Sequence, residues 1–324
     1  MKNSTEFEIS QNELIKYRGS EPYVTIPEGV QKVCKGAFRD CRELRQITLP
    51  ESVLEIEEEA FLLCVNLIQV RGGDHVIFIG KDAFARTPWY RFYSENETDW
   101  KEDFLFIGKV LVKARRNLRK AIIPKGTVMI AADAFYERVL LYEAEIPSSV
   151  KYIGWRAFKG CSGLTAISIP GSVKTIGWHC LEGCSRLAFV QLDEGIEVLE
   201  NGVFSSCRSL RQVTIPSSVK SLGGWMFFSC TNLRLVSFRG SVREIQERTF
   251  SGCYELEQVL IPAGLEKIGV EAFYECTNLK HVVLPSTVKE IQRQAFTNDR
   301  YFEELVLPKS LERLEESVFH GCFG

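Results

Sequence analysis

The sequence repeats itself every 23 residues, and that period decides what the chain can fold into. CRELRQITLPESVLEIEEEA at Cys41, CSGLTAISIPGSVKTIGWHC at Cys161, CRSLRQVTIPSSVKSLGGWM at Cys207 and CTNLKHVVLPSTVKEIQRQA at Cys276 are versions of one unit. The proline that closes the "IP" or "LP" pair serves as a ruler. It stands at Pro27, Pro50, Pro124, Pro147, Pro170, Pro216, Pro262, Pro285 and Pro308, with Gly73, Asp193 and Arg239 filling the same phase. Eleven residues after each mark comes Phe38, Phe61, Phe84, Phe135, Phe158, Leu181, Phe204, Phe227, Phe250, Phe273, Phe296 or Phe319, which makes twelve repeats.

Within a repeat the pattern runs L-x-x-I-x-I-P-x-S-V-x-x-I-G-x-x-A-F-x-x-C. Alternation in "IxI" points two apolar side chains one way and the residue between them the other, the habit of a half-buried strand. Proline then removes a ladder donor and ends the strand. "VxxI" suits a second short extended segment, and "xxAFxxC" is expected to form a helical or 3₁₀ turn that returns the Phe to the core. Ser or Thr two residues after the mark (Ser52, Ser149, Ser172, Ser218, Ser241, Thr287, Ser310) is expected to bond free backbone groups at a tight turn. A single unit cannot cover its own apolar face, whereas stacked units bury it together. The expected fold is therefore an α/β solenoid: a parallel sheet of short strands built from twelve 23-residue repeats.

These motifs resemble those of the BspA-type leucine-rich repeats, whose units carry "IPxSVxxIGxxAFxxC". The resemblance covers nearly the whole chain. It implies a right-handed, curved leucine-rich-repeat solenoid, of a kind common in secreted or surface proteins that bind other proteins or host matrix.

The phase breaks once. Gly73 to Pro124 spans 51 residues, 28 more than a period. FLFIGKVLVKARRNLRKAIIP, ending at Pro124, copies in length and pattern FEISQNELIKYRGSEPYVTIP, ending at Pro27. Each is read as a β-hairpin that opens a repeat block and covers its edge. The expected organisation is a hairpin cap over 1–26, a first block over 27–87, an aromatic linker with the second hairpin over 88–123, and a second block over 124–324, all within one continuous solenoid. In the linker, Trp89, Tyr90, Phe92, Tyr93 and Trp100 either seal the end of the first block or form a binding loop. The basic run Lys109, Lys113, Arg115, Arg116, Arg119, Lys120, Lys125 is read as a solvated hairpin. At the other end, after HGCFG, no covering segment is read, and the expectation is truncation, dimerisation through that end, or a capping conformation.

Catalysis is not expected. Nine of the eleven cysteines share one register position (Cys41, Cys64, Cys161, Cys184, Cys207, Cys230, Cys253, Cys276, Cys322), a spacing unlike paired zinc ligands. They read as small buried thiols behind each Phe, with Cys34 and Cys180 at other core-edge positions. His75, His179, His281 and His320 occupy different slots, the carboxylates scatter over variable surface positions, and no nucleophile elbow, phosphate loop or metalloprotease motif occurs. No cofactor and no metal are expected. A net charge of −2 offers no field for nucleic acid or anionic lipid, and no apolar run reaches the ~18 residues of a membrane span. The N-terminal stretch lacks a signal-peptide core, so the sequence as it stands reads as cytoplasmic, or as surface or secreted if an export signal has been lost.

Binding is the remaining expectation. The outward strand residue two before the mark is mostly polar, then becomes apolar at Leu260, Val283 and Val306. With Phe189, Leu235, Gln258 and His281 in the companion column, these residues form a candidate strand-face patch for a protein partner. Trp155, Trp178 and Trp225 form a candidate aromatic ridge, either stiffening the turns or offering a platform to a glycan or matrix ligand. The readings are a protein-interaction scaffold, a carbohydrate- or matrix-binding adhesin, or a self-associating structural array.

Overall fold

A computed structural model describes residues 6–95, 102–299 and 304–322. By contacts the chain divides into two compact units, residues 1–118 with 126–134, and residues 119–125 with 135–324.

Both units are built from the same rung. Its first rail is the "IxI" strand, paired in parallel and in phase with the next rung: Ala166–Ile169 with Phe189–Leu192, Gln212–Ile215 with Leu235–Phe238, and Gln46–Leu49 with Gln69–Gly72. Inward residues such as Ile167, Ile169, Val213 and Ile215 are buried while their outward neighbours are exposed. The second rail is a two-residue strand from the "VxxI" segment, for example Thr175–Ile176 beside Val198–Leu199. A third rail comes from the turn. The Phe158 N–H donates to the Cys180 carbonyl, Phe204 to Met226, Phe227 to Thr249 and Phe273 to Ala295, so the backbone behind each ring is bonded to the following rung.

The turn is not the helical or 3₁₀ segment expected from its sequence. It is a chain of hydrogen-bonded turns interrupted twice by left-handed backbone, nine and thirteen residues after every mark. In the Pro216 rung these positions are Trp225 (φ 57°) and Ser229 (φ 57°); in the Pro50 rung they are Glu59 (φ 57°) and Leu63 (φ 64°). A residue at positive φ cannot continue a right-handed helix, so each turn folds back at once.

Inside runs a column of rings. Eleven of the twelve positions eleven after the mark are at most 3 % exposed; only Phe319 is half-buried. In the first unit Tyr17, Phe38, Phe61 and Phe84 stack at 4.9–5.0 Å. In the second, Phe135 and Phe158 stack at 4.6 Å, and Phe204, Phe227, Phe250, Phe273, Phe296 and Phe319 follow at 5.0–5.8 Å. Each such pair adds about 0.5–1.5 kcal/mol beyond the area it buries.

The two hairpins form where the duplicated sequence places them. Phe7–Ser10 and Glu13–Tyr17 pair antiparallel, and Glu13 and Leu14 then pair in parallel with Lys32 and Val33, so the hairpin supplies the first strand of the second rail. Phe104–Ile107 and Val110–Ala114 do the same ahead of Met129–Ile130. The aromatic linker differs from its expectation, because Pro88–Glu95 is an α-helix. Thr87 is its N-cap, accepting the Tyr90 N–H at 3.2 Å, and Pro88 takes the first helical position, where a missing N–H does no harm. Trp89 is buried against Phe84 at 4.9 Å and so extends the ring column, whereas Phe92 is exposed. Trp100 and the side chain of Tyr93 lie outside the described residues. The basic run also needs correcting: Lys113 is only 6 % exposed, its ammonium bonded to the Tyr90 hydroxyl and the Asp133 carbonyl, each at 3.2 Å. The unforeseen helix brings Tyr90 over it.

Candidate functional site

All eleven cysteines are free thiols. Eight of the register column donate Sγ–H to the backbone carbonyl of the residue eleven after the mark in the preceding rung, at 2.8–3.3 Å: Cys64 to Phe38, Cys161 to Phe135, Cys184 to Phe158, Cys207 to Leu181, Cys230 to Phe204, Cys253 to Phe227, Cys276 to Phe250 and Cys322 to Phe296. Burial pushes Cys64, Cys161 and Cys230 up to about 12 and raises the others, which favours the protonated thiol throughout. Eight of the eleven are buried; Cys34, Cys41 and Cys322 are half-buried. A thiol-exchange reagent at pH 7.5 is therefore expected to modify at most those three quickly in native protein, and all eleven once urea is added. Rapid reaction of Cys207 or Cys230 in the native state would contradict this packing.

Four of the register hydroxyls, Ser52, Ser218, Thr287 and Ser310, bond backbone groups as expected, whereas Ser172 Oγ is buried with no partner among the described residues. Ser218 Oγ accepts the Gly195 N–H at 2.8 Å and donates to the Ile196 carbonyl at 2.7 Å, and Thr287 and Ser310 bond carbonyls of the preceding rung in the same way. These bonds tie successive turns together. Among the described residues no group of three or more His, Cys, Asp or Glu side chains is placed to hold a metal, and no helix is long and apolar enough to cross a membrane.

The strand face of the second unit carries the apolar candidates. Leu260, Val283 and Val306, two before the mark in successive rungs, are 47 %, 83 % and 68 % exposed. Val283 and Val306 share a groove of about 540 Å³ with Val282, Leu284, Ser286, Pro308 and Lys309. Leu235 is half-buried and pairs in register with exposed Gln258, and Leu260 pairs with Ser237. The side chain of His281 lies outside the described residues. Phe189, also exposed, does not join that groove. It lines a separate one of about 480 Å³ with Gln191, Asp193, Glu194, Gln212, Thr214 and Arg239, four rungs away and largely polar. Sequence alone missed Lys309 and Pro308, which follow the strand and turn back toward the valines.

Two of the three candidate ridge tryptophans carry a guanidinium on one face. The Arg156 guanidinium covers the Trp155 ring at 3.5 Å, and Arg248 covers Trp225 at 4.5 Å while the Trp225 indole N–H donates to Glu247. Trp178 stands half exposed.

Parallel rungs, a column of buried rings and an exposed strand face define a leucine-rich-repeat solenoid, a class that works through protein–protein contact. The chain matches the BspA type leucine rich repeat region (6 copies) over residues 11–108, 106–234 and 199–324, and it belongs to that family. A comparison with curated proteins finds no match. Among solved structures, a leucine-rich repeat protein from Bacteroides ovatus is similar at 24 % identity and a TM-score of 0.55, over 99 % of this chain and 90 % of the other. One from Eubacterium ventriosum is similar at 23 % identity and a TM-score of 0.56, over 96 % and 88 %. At these identities the likeness speaks for the fold.

Proposed function

We propose that the chain is a non-catalytic scaffold that binds a protein partner on the strand face of its second unit, at the groove of Val283 and Val306. The observation that carries this reading is the run of exposed aliphatic residues in three successive rungs, at a register position where Glu145, Ser168, Gln191, Thr214 and Ser237 precede them. Packing does not require Leu260, Val283 or Val306 to be apolar, because the core is made by the residues beside them. An apolar patch with a polar rim is what the centre of a protein interface looks like. A glycan- or matrix-binding ridge has less support, since a guanidinium group already occupies one face of Trp155 and of Trp225.

The test compares the full chain with its Leu260→Ser/Val283→Ser variant, both immobilised. The variant is expected to melt close to wild type, because Val283 is largely in water and Leu260 is about half exposed. It is expected to lose a bound protein by about tenfold or more, the loss typical of removing a contact at the centre of an interface. Identical capture by both proteins would reject the strand face as the site. Self-association that the same substitutions abolish would make the partner a second copy of the chain.

A further inference from the structure

The proline column breaks at two rungs of the second unit, and both breaks face the same groove. Where the other marks of that unit carry Pro, Asp193 and Arg239 stand on either side of the Pro216 rung. Each gains a backbone bond that proline forbids: the Asp193 N–H donates to the Ile169 carbonyl at 3.1 Å, and the Arg239 N–H to the Ile215 carbonyl at 2.9 Å. Any residue with an N–H makes that bond, so it does not account for a carboxylate in one rung and a guanidinium in the other. Both side chains line the groove of about 480 Å³, a size within the ~300–1,000 Å³ of small-molecule sites. The first rail is interrupted beneath it, because Phe189–Leu192 ends one sheet and Gln212–Ile215 begins the next.

Phe189 stands at one end, 55 % exposed and in contact with no other ring among the described residues. At ~3.3 Å per residue, Asp193 lies about 13 Å farther along the strand. Between them Gln191 donates to the Asp193 carboxylate at 2.8 Å, and Gln212 and Thr214 add an amide and a hydroxyl. Glu194 is fixed by its three bonds from Ser217 and Ser218, and the Arg239 guanidinium lies 4.0 Å from it, beyond hydrogen-bond reach. An anion entering here meets two carboxylates, and a cation meets Arg239. An apolar side chain covers the polar groups without pairing them, which is unfavourable. An extended peptide on a sheet face sets its side chains toward the sheet and its amides sideways, away from this lining. A sugar answers all of it. Its hydroxyls donate and accept at once, planar carboxylate, amide and guanidinium groups engage adjacent hydroxyls in pairs, and its C–H face covers an aromatic ring.

We propose that this groove binds a neutral oligosaccharide, with one sugar ring on Phe189 and hydroxyls of a neighbouring ring held by Asp193, Gln212 and Arg239. The site is separate from the valine groove and needs no protein partner. Calorimetric titration of the full chain tests it, with short neutral oligosaccharides of glucose, mannose, galactose, xylose and N-acetylglucosamine, each up to about 10 mM, and with an acidic and a basic peptide alongside. At least one oligosaccharide is expected to bind. Its affinity is expected to fall by about tenfold or more in Phe189→Ala and in Arg239→Gln, the loss for a removed anchor contact. Tyr254→Ala, which removes an exposed aromatic outside the groove, is expected to leave it unchanged. Should Phe189→Ala melt below wild type, Phe189→Leu, which keeps bulk without a flat ring, carries the comparison. The proposal is overturned if no oligosaccharide binds, if the Phe189 and Arg239 variants bind as wild type does, if Tyr254→Ala loses as much, or if only a peptide binds.

Discussion

Replacing Phe227 by Ala is expected to destabilise the second unit by about 3–5 kcal/mol, the range for removing a large buried aromatic and leaving a cavity. Phe227 is fully buried and stacks on both sides, on Phe204 at 5.6 Å and on Phe250 at 5.5 Å, with ring planes within 10° of parallel. Neither neighbour is free to collapse into the space: backbone bonds along the turn tie the Phe227 rung on both sides, its first-rail strand pairs with the following rung and its second-rail strand with the preceding one. The loss should appear as a lower urea midpoint with an unchanged slope, and as faster amide exchange in the rungs before and after. An unchanged midpoint would mean that the ring column does not hold the unit together.

The second large effect concerns backbone rather than side chains. At Gly171 the chain of one rung passes so close to the next that a Cβ would fall on the Glu194 carbonyl oxygen. Glu194 has little room to move, since its carboxylate accepts hydrogen bonds from the Ser217 N–H, the Ser217 hydroxyl and the Ser218 N–H at 2.9–3.1 Å. Those bonds also hold the Glu194 carboxyl below its ordinary range. Gly171→Ala should therefore cost about 1–3 kcal/mol or more through overpacking. Gly224→Ala is the matched control: its backbone is not left-handed, and an added Cβ would come no nearer than 3.0 Å to the Glu247 carbonyl oxygen. Thermal melts of the two should place Gly171→Ala clearly below Gly224→Ala; the reverse order would contradict the close approach.

The rung was legible because its information is periodic. Alternation in "IxI", the proline that stops it and the Phe eleven residues later recur often enough to average out local ambiguity, and the two hairpins announce themselves by being copies of each other. What escaped was carried by single positions. The helix at Pro88–Glu95 occurs once, and its signal, Thr87 followed by Pro88, is an N-cap pair too short to stand out in an aromatic-rich insert. The left-handed sites hold Glu59, Leu63, Arg248 and Trp225 as readily as Gly36 and Gly160, so no glycine pattern advertises them; the rails impose the conformation. Lys113 looked solvated because only the fold brings Tyr90 to it. Of the candidate surface, the exposed valines followed from alternation, but their shared groove with Lys309, and the separation of Phe189 from it, depend on the path of the chain after the strand.

The central claim is that each rung stays dry only because its neighbour covers it. A double-mutant cycle on Phe227→Ala and Phe250→Ala, with Phe227→Ala and Phe158→Ala, three rungs apart in the same unit, as the distant pair, tests it most directly. Adjacent rings should show a coupling energy of about 0.5–3 kcal/mol, while the distant pair should add within about 0.5 kcal/mol. Simple additivity for Phe227 and Phe250 would contradict the account.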